Sequence, residues 1–222
     1  MDFAPYFLKY EALAKAADQV FERVKQEFPD CVKCKVECSD CCHALFDLTL
    51  IEALYMNEKF KAKYSGEARE RLLEDANRAD RSIHKLKRQA YRDLKDGKTE
   101  DEILSELGDK RVRCPLLNER DMCELYEHRP ITCRLYGIPT SIGGKGRTCS
   151  LSAFEPGEAY PTVDIDKIHG RLQEISAELL RDIQSANIKL ADILMPLSMA
   201  MMTVFDDHFM GVGDPPSEKE SS

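Results

Sequence analysis

Nine cysteines in 222 residues are crowded into two short stretches, and that crowding constrains the fold more than any other feature. Cys31, Cys34, Cys38, Cys41 and Cys42 fall within twelve residues, and Cys114, Cys123, Cys133 and Cys149 follow after a gap of some seventy. Thiols that merely fill a core are spread along a chain. An odd number also cannot be consumed by disulfide pairing alone. Met1 to Tyr10 has no basic region, apolar core and cleavage site in succession, so no secretory signal is expected. The compartment expected is therefore the cytoplasm, where thiols stay reduced. Metal binding is the reading that remains.

The spacing supports it. Cys31-Val32-Lys33-Cys34 and Cys38-Ser39-Asp40-Cys41 are both C-x-x-C units, whose two sulfurs can turn toward one ion at about 2.3 Å in a zinc site. Four thiolates close a tetrahedral zinc site or hold an iron–sulfur cluster, and the spacing does not choose between them. Lys33, Lys35, Arg111, Arg113 and Arg134 adjoin cysteines in sequence, where they would lower thiol pKa values or offset the negative charge of such a site. The plain alternative for Arg129 and Arg134 is that they bind backbone carbonyls and orient an irregular segment. His43 and His128 lie beside the cysteines and are read as hydrogen-bonding groups rather than ligands.

Elsewhere the pattern is helical. Apolar residues recur at spacings of three and four over 6–28, from Tyr10 to Phe28. Thr49-Leu50-Ile51-Glu52 is a capping box opening a helix toward Phe60, and Ser65-Gly66 is a break. Leu72, Ala76, Ala79, Ile83, Leu86, Ala90 and Leu94 form one stripe of a long helix over 67–94, expected to pack as an arm of a helical hairpin. Thr99 to Glu102 is a second capping box, starting a short helix that Gly108 closes. Between Arg111 and Ser150 the periodicity vanishes. A small hairpin is expected from Val112–Leu117 and Met122–Tyr126, and a helical turn after Pro130 carries Cys133. Gly137, Gly143, Gly144 and Gly146 read as a loop ending at Cys149. Helices return from Asp164, and over 188–210 the chain is apolar and rich in methionine.

These signals predict a mainly α protein: a helical scaffold (6–28, 49–108 and 164–210) with an inserted irregular cysteine-rich metal-binding module and one small β-hairpin. Residues 1–212 are expected to form a single domain, its metal module built from 31–43 joined to 111–150, with 213–222 a disordered tail. The candidate ligands are Cys31, Cys34, Cys38, Cys41, Cys42, Cys114, Cys123, Cys133 and Cys149, and the cofactor expected is an iron–sulfur cluster or zinc.

The cysteine motifs resemble a known family. Cys38-Ser39-Asp40-Cys41-Cys42, then Cys114-Pro115-Leu116-Leu117, then the run Cys123-Glu124-Leu125-Tyr126-Glu127-His128-Arg129-Pro130-Ile131-Thr132-Cys133-Arg134 are similar to those of YkgJ-type cysteine-cluster proteins. That bacterial family is named for a CxxCxxCC motif and described as zinc- or iron-chelating. Its pattern ends in a later cysteine, matched by Cys149. One departure stands out: the first two family cysteines are two residues apart, whereas Cys34 and Cys38 are separated by three. Cys31 and Cys34 are thus alternative candidates for the first position.

Three functions follow as expectations: a metal- or cluster-binding protein with a redox or metal-handling role, a structural zinc module serving protein interaction, and a cluster-dependent enzyme. For the third, Cys34-x3-Cys38-x2-Cys41 has the spacing of radical S-adenosylmethionine enzymes, and flagellin lysine N-methylases carry a related cysteine module. Against it, Asp40 replaces their usual aromatic, and no alternation of strands and helices predicts a barrel. No apolar run suits a membrane span. A net charge of −8 argues against a general nucleic-acid binder, leaving an unidentified protein partner. Arg81, Lys85, Arg88, Arg92 and Lys95 form a basic stripe read as a solvated face, with docking of an acidic partner or RNA as the functional alternative. Met195, Met199, Met201, Met202 and Met210 are read as core packing. The glycine loop before Cys149 fails the P-loop spacing at Pro139.

Overall fold

A computed structural model describes residues 1–213. Apart from Gly213, the tail expected at 213–222 lies outside the described residues. Among the described residues there are seven α-helices and five short strands, so the chain is mainly α with small sheets. None of these helices is long and apolar enough to cross a membrane.

Helix α2 (Leu50–Lys63) is the centre. It opens with the expected capping box, Glu52 accepting from the Thr49 N–H, and its first eight residues are all buried. A helix enclosed on every side must be covered by others. Here α1 (Ala4–Glu27), α6 (Ile165–Asp182) and α7 (Leu197–Met202) surround it. The apolar stripes expected for α1 and α6 supply Tyr10, Ala17 and Val24 on one side and Leu172, Ile175 and Leu179 on the other, all in the core. Strands β1 (Asp47–Thr49) and β5 (Leu194–Pro196) pair antiparallel and bring the C-terminal segment back to the start of α2. Within that segment Met195, Met201 and Met210 are buried, while Met199 and Met202 face outward.

Helix α3 (Gly66–Lys95) begins after the Ser65-Gly66 break. Only Leu72, Ala76 and Ala79 of its stripe are fully buried. Its main partner is the short α7, not a helix of matching length, because α4 (Glu100–Gly108) spans only nine residues. Past Ala79 the helix is half-exposed, and Arg81, Lys85, Arg88, Arg92 and Lys95 all face solvent.

The expected hairpin over 112–126 reduces to one bridge between Leu117 and Cys123. Asn118 is the reason: its side-chain oxygen accepts from the Arg120 and Met122 N–H groups and curls the turn on itself. The hairpin forms instead at β2 (Thr140–Ile142) and β3 (Lys145–Arg147), in the glycine-rich stretch read as a loop. Gly143 and Gly144 both have positive φ, 57° and 73°, the backbone of a tight two-residue β-turn. Strand β4 (Val163–Asp164) adds in parallel to β2 and leads into α6.

The end of α7 is fixed by Asn57. Its buried amide donates to the carbonyls of Ala200 (2.8 Å) and Thr203 (3.0 Å). Asn57→Ala should therefore lower unfolding free energy by about 1–3 kcal/mol in a denaturant titration, since two carbonyls lose their donor in the interior. An unchanged midpoint would show that α7 is not anchored this way.

Candidate metal centre

The backbone brings the two cysteine segments together. The Cys114 N–H donates to the Cys42 carbonyl at 2.7 Å, and the Val112 N–H to the His43 carbonyl at 3.0 Å. Farther out, the Ala153 N–H donates to the Cys31 carbonyl at 2.9 Å. Cys41 and Cys42 sit in a single 3₁₀ turn, Asp40–His43, and Cys133 is carried by the expected helical turn, α5 (Ile131–Leu135), with Pro130 as its N-cap rather than its first helical residue. All nine cysteines are free and partly buried.

Helix α5 has only five residues and needs outside support. Glu52 supplies it. One carboxylate oxygen accepts from the Thr49 N–H, closing the cap of α2, while the other accepts from the Ile131 N–H at 3.1 Å. The side chain is buried, and burial pushes its carboxyl up while these hydrogen bonds hold it down. The arginines work on the loop. Arg134 donates to the carbonyls of Arg129 and Glu127 and pairs with Asp18 on α1. Arg113 donates to those of Leu117 and Asn118, and Arg129 to that of Tyr126 while stacking on the Tyr126 ring. The carbonyl-binding role is thus observed for Arg129 and Arg134. The two histidines also hydrogen-bond, His43 with the Ser39 carbonyl and His128 with Tyr55 Oη.

Electrostatics sorts the thiols. Desolvation pushes Cys114 up to about 12, and the nearby Cys123 and Cys41 add to it. Cys133 is raised well above the ordinary value, again by burial first and then by Cys41, Cys114 and Cys123. Burial raises Cys123 as well. Cys41 and Cys42 share a hydrogen bond that lowers Cys41 to about 7 and raises Cys42. These five sulfurs form an inner group spanning both segments. Cys34 is raised to about 11 by burial and then by Cys38, Cys149 and Cys41, a set that shares Cys41 with the inner group. Cys149 is raised by burial and by Asp40. Cys34, Cys38 and Cys149 make an outer group. Cys31 packs against the hydrophobic cluster, as Cys34, Cys114 and Cys123 also do. Arg129 is the cation that favours thiolate at Cys34, Cys41, Cys123 and Cys133.

The match of a family model now bears on these residues. The model for the CxxCxxCC family, described as "Putative zinc- or iron-chelating domain", matches residues 33–150. The chain belongs to the CxxCxxCC family. Eight of its nine cysteines lie within the matched stretch and Cys31 lies before it. No curated protein and no solved structure matches the chain.

Among the described residues, no three or more His, Cys, Asp or Glu side chains are already arranged as a metal-ligand set. The donors nevertheless suit zinc or iron–sulfur iron: sulfur atoms drawn from both segments, with a guanidinium at hand to balance their charge. Because burial favours the protonated thiols, an ion binding here displaces protons as the sulfurs close in. Sequence reasoning missed Glu52 as the support of α5, and Asp40 and Tyr136 beside Cys149. Glu52 was legible only as a cap, and nothing local marks Tyr136.

Gly137 allows the outer group its packing. Its φ is +105°, and a Cβ there would stand 2.3 Å from Cys34 Sγ. Gly137→Ala should strain the backbone by about 1–3 kcal/mol and expel the Cys34 thiol. Maleimide labelling mapped by mass spectrometry should then show Cys34 modified faster than in the parent protein. Equal labelling would refute the contact.

Proposed function

We propose that this member of the CxxCxxCC family holds zinc or an iron–sulfur cluster through thiolates of both cysteine segments, and serves a redox or metal-handling role. The observation that carries the reading is the pairing of Cys42 with Cys114 through the backbone, which gathers Cys41, Cys42, Cys114, Cys123 and Cys133 from opposite sides of a seventy-residue insertion. Buried thiols from distant segments cost desolvation and chain entropy, and metal–sulfur bonds repay both. Within the inner group, four sulfurs make one thiolate set, Cys41 being the neighbour that Cys114, Cys123 and Cys133 share and the hydrogen-bond partner of Cys42. Cys34 is the preferred first cysteine of the family motif, because it faces Cys38 and lies within the matched stretch.

The chemistry available is that of the sulfur-bound ion. Zinc held this way braces the fold, and a cluster adds one-electron transfer. The chain's own residues supply the enclosure: Arg129 offsets charge, Arg113 and Arg134 hold the loop, and Glu52 holds the helix of Cys133.

Protein purified without oxygen should contain metal bound in near-stoichiometric amount. Iron with matching acid-labile sulfide and broad absorption near about 400 nm marks the cluster form. Zinc without sulfide or colour marks the zinc form and favours a structural or metal-handling role. Cooperatively folded protein with neither metal would remove the proposal.

A further inference from the structure

One face of α3 points away from the rest of the fold and is charged in two blocks. Glu67, Glu70 and Glu74 hold its first half, and Arg81, Lys85, Arg88, Arg92 and Lys95 its second, with Asn77 between. Steps of three and four residues put all nine positions on one side of the helix, opposite the buried Leu72, Ala76 and Ala79. All nine are exposed. Among the described residues none of the eight charged side chains has an ion-pair partner, whereas Arg78 and Lys87, outside this line, pair with Asp75 and Asp47. The two blocks are related about Arg81. Asn77 and Lys85 each stand four residues from it, Glu74 and Arg88 seven, Glu70 and Arg92 eleven, and Glu67 and Lys95 fourteen.

The geometry points to this face as the contact surface for a second copy of the chain, the two α3 helices lying antiparallel about a twofold axis at Arg81. In that register Glu67 meets Lys95 of the other copy, Glu70 meets Arg92 and Glu74 meets Arg88, and the symmetry repeats each pair, as an isologous contact requires. The contact is independent of metal binding. A polyanion such as RNA, or a uniformly acidic protein, satisfies only the basic block and is repelled by the glutamates that continue the same line. A partner charged in the reverse order satisfies both blocks, and α3 run antiparallel is such a partner. The nine positions advance by about 3.5 residues on average, the repeat that keeps one helix face against another in a left-handed pair, over about 42 Å of helix. Antiparallel helices also set opposite dipole ends side by side. Arg81 meets its own copy on the axis, the one like-charge meeting in the register, with the Asn77 carboxamide oxygen beside it as an acceptor. Exposed ion pairs are individually weak, and no apolar seam reinforces these. Association therefore belongs to concentrated protein at low ionic strength and fades as salt screens the charges.

Sedimentation equilibrium of the full chain across a concentration series tests the contact. The parent protein should rise toward twice the chain mass at low salt and return to monomer at about 0.5 M salt. Glu70→Lys/Glu74→Lys sets cations against cations, and Arg88→Glu/Arg92→Glu sets glutamates against glutamates, so each should weaken self-association at least about tenfold. An equimolar mixture of the two variants should dimerise again, because each offers the charges the other lacks, and the fourfold variant should do so alone. Parent protein that is monomeric at every concentration would overturn the dimer, as would variants of unchanged helical circular dichroism that stay apart when mixed. So would a monomeric parent that binds fluorescent polyuridylate or polyglutamate and loses it only with Arg88→Glu/Arg92→Glu, an outcome that gives the basic block to RNA or to an acidic protein.

Discussion

Two backbone hydrogen bonds, from Cys114 to the Cys42 carbonyl and from Val112 to that of His43, hold the cysteine segments face to face. Everything chemical in the molecule depends on them. Side chains alone could not gather five thiols from segments so far apart, because each thiol resists burial as a charge and gains little as a neutral group. A main-chain pairing fixes the approach of the two segments first. The sulfurs then need only small movements to meet an ion.

The helical scaffold serves that pairing through one buried carboxylate. Glu52 closes the first turn of α2 and, with its other oxygen, fixes the first N–H of the five-residue helix that carries Cys133. An isolated helix of that length has no stability of its own. Its place is borrowed from α2, the most enclosed element of the fold, so disturbing the core at α2 would be felt at the cysteines. Arg134 provides a second tie, from the loop carbonyls to Asp18 on α1.

Much of this was legible in the sequence, and the exceptions share a cause. The helices were readable because a 3.6-residue period and the capping boxes at Thr49 and Thr99 are local signals. The apolar stripe of α3 was readable too, yet not its partner: Ala76 and Ala79 announce a close approach without saying that the short α7 makes it. The hairpin lies one segment later than the pattern suggests: Val112–Leu117 has the apolar character of a strand and Thr140–Arg147 does not. What marks the true hairpin is the Gly143-Gly144 pair, whose positive φ angles suit the turn. At the centre itself, the cysteine spacing marks the candidate donors. Their sorting into inner and outer groups depends on Cys42 meeting Cys114, and Asp40 meeting Tyr136 and Cys149, none of which leaves a trace in local pattern.

The central claim is that sulfur from both segments surrounds one ion. X-ray absorption at the edge of the bound metal tests it most directly, on the intact chain and on a Cys114→Ser/Cys133→Ser variant. The account predicts a first shell dominated by sulfur at about 2.3 Å in the parent protein, with sulfur lost when the second segment's thiols are replaced. A shell of oxygen and nitrogen, or a sulfur shell that the variant leaves intact, would contradict it.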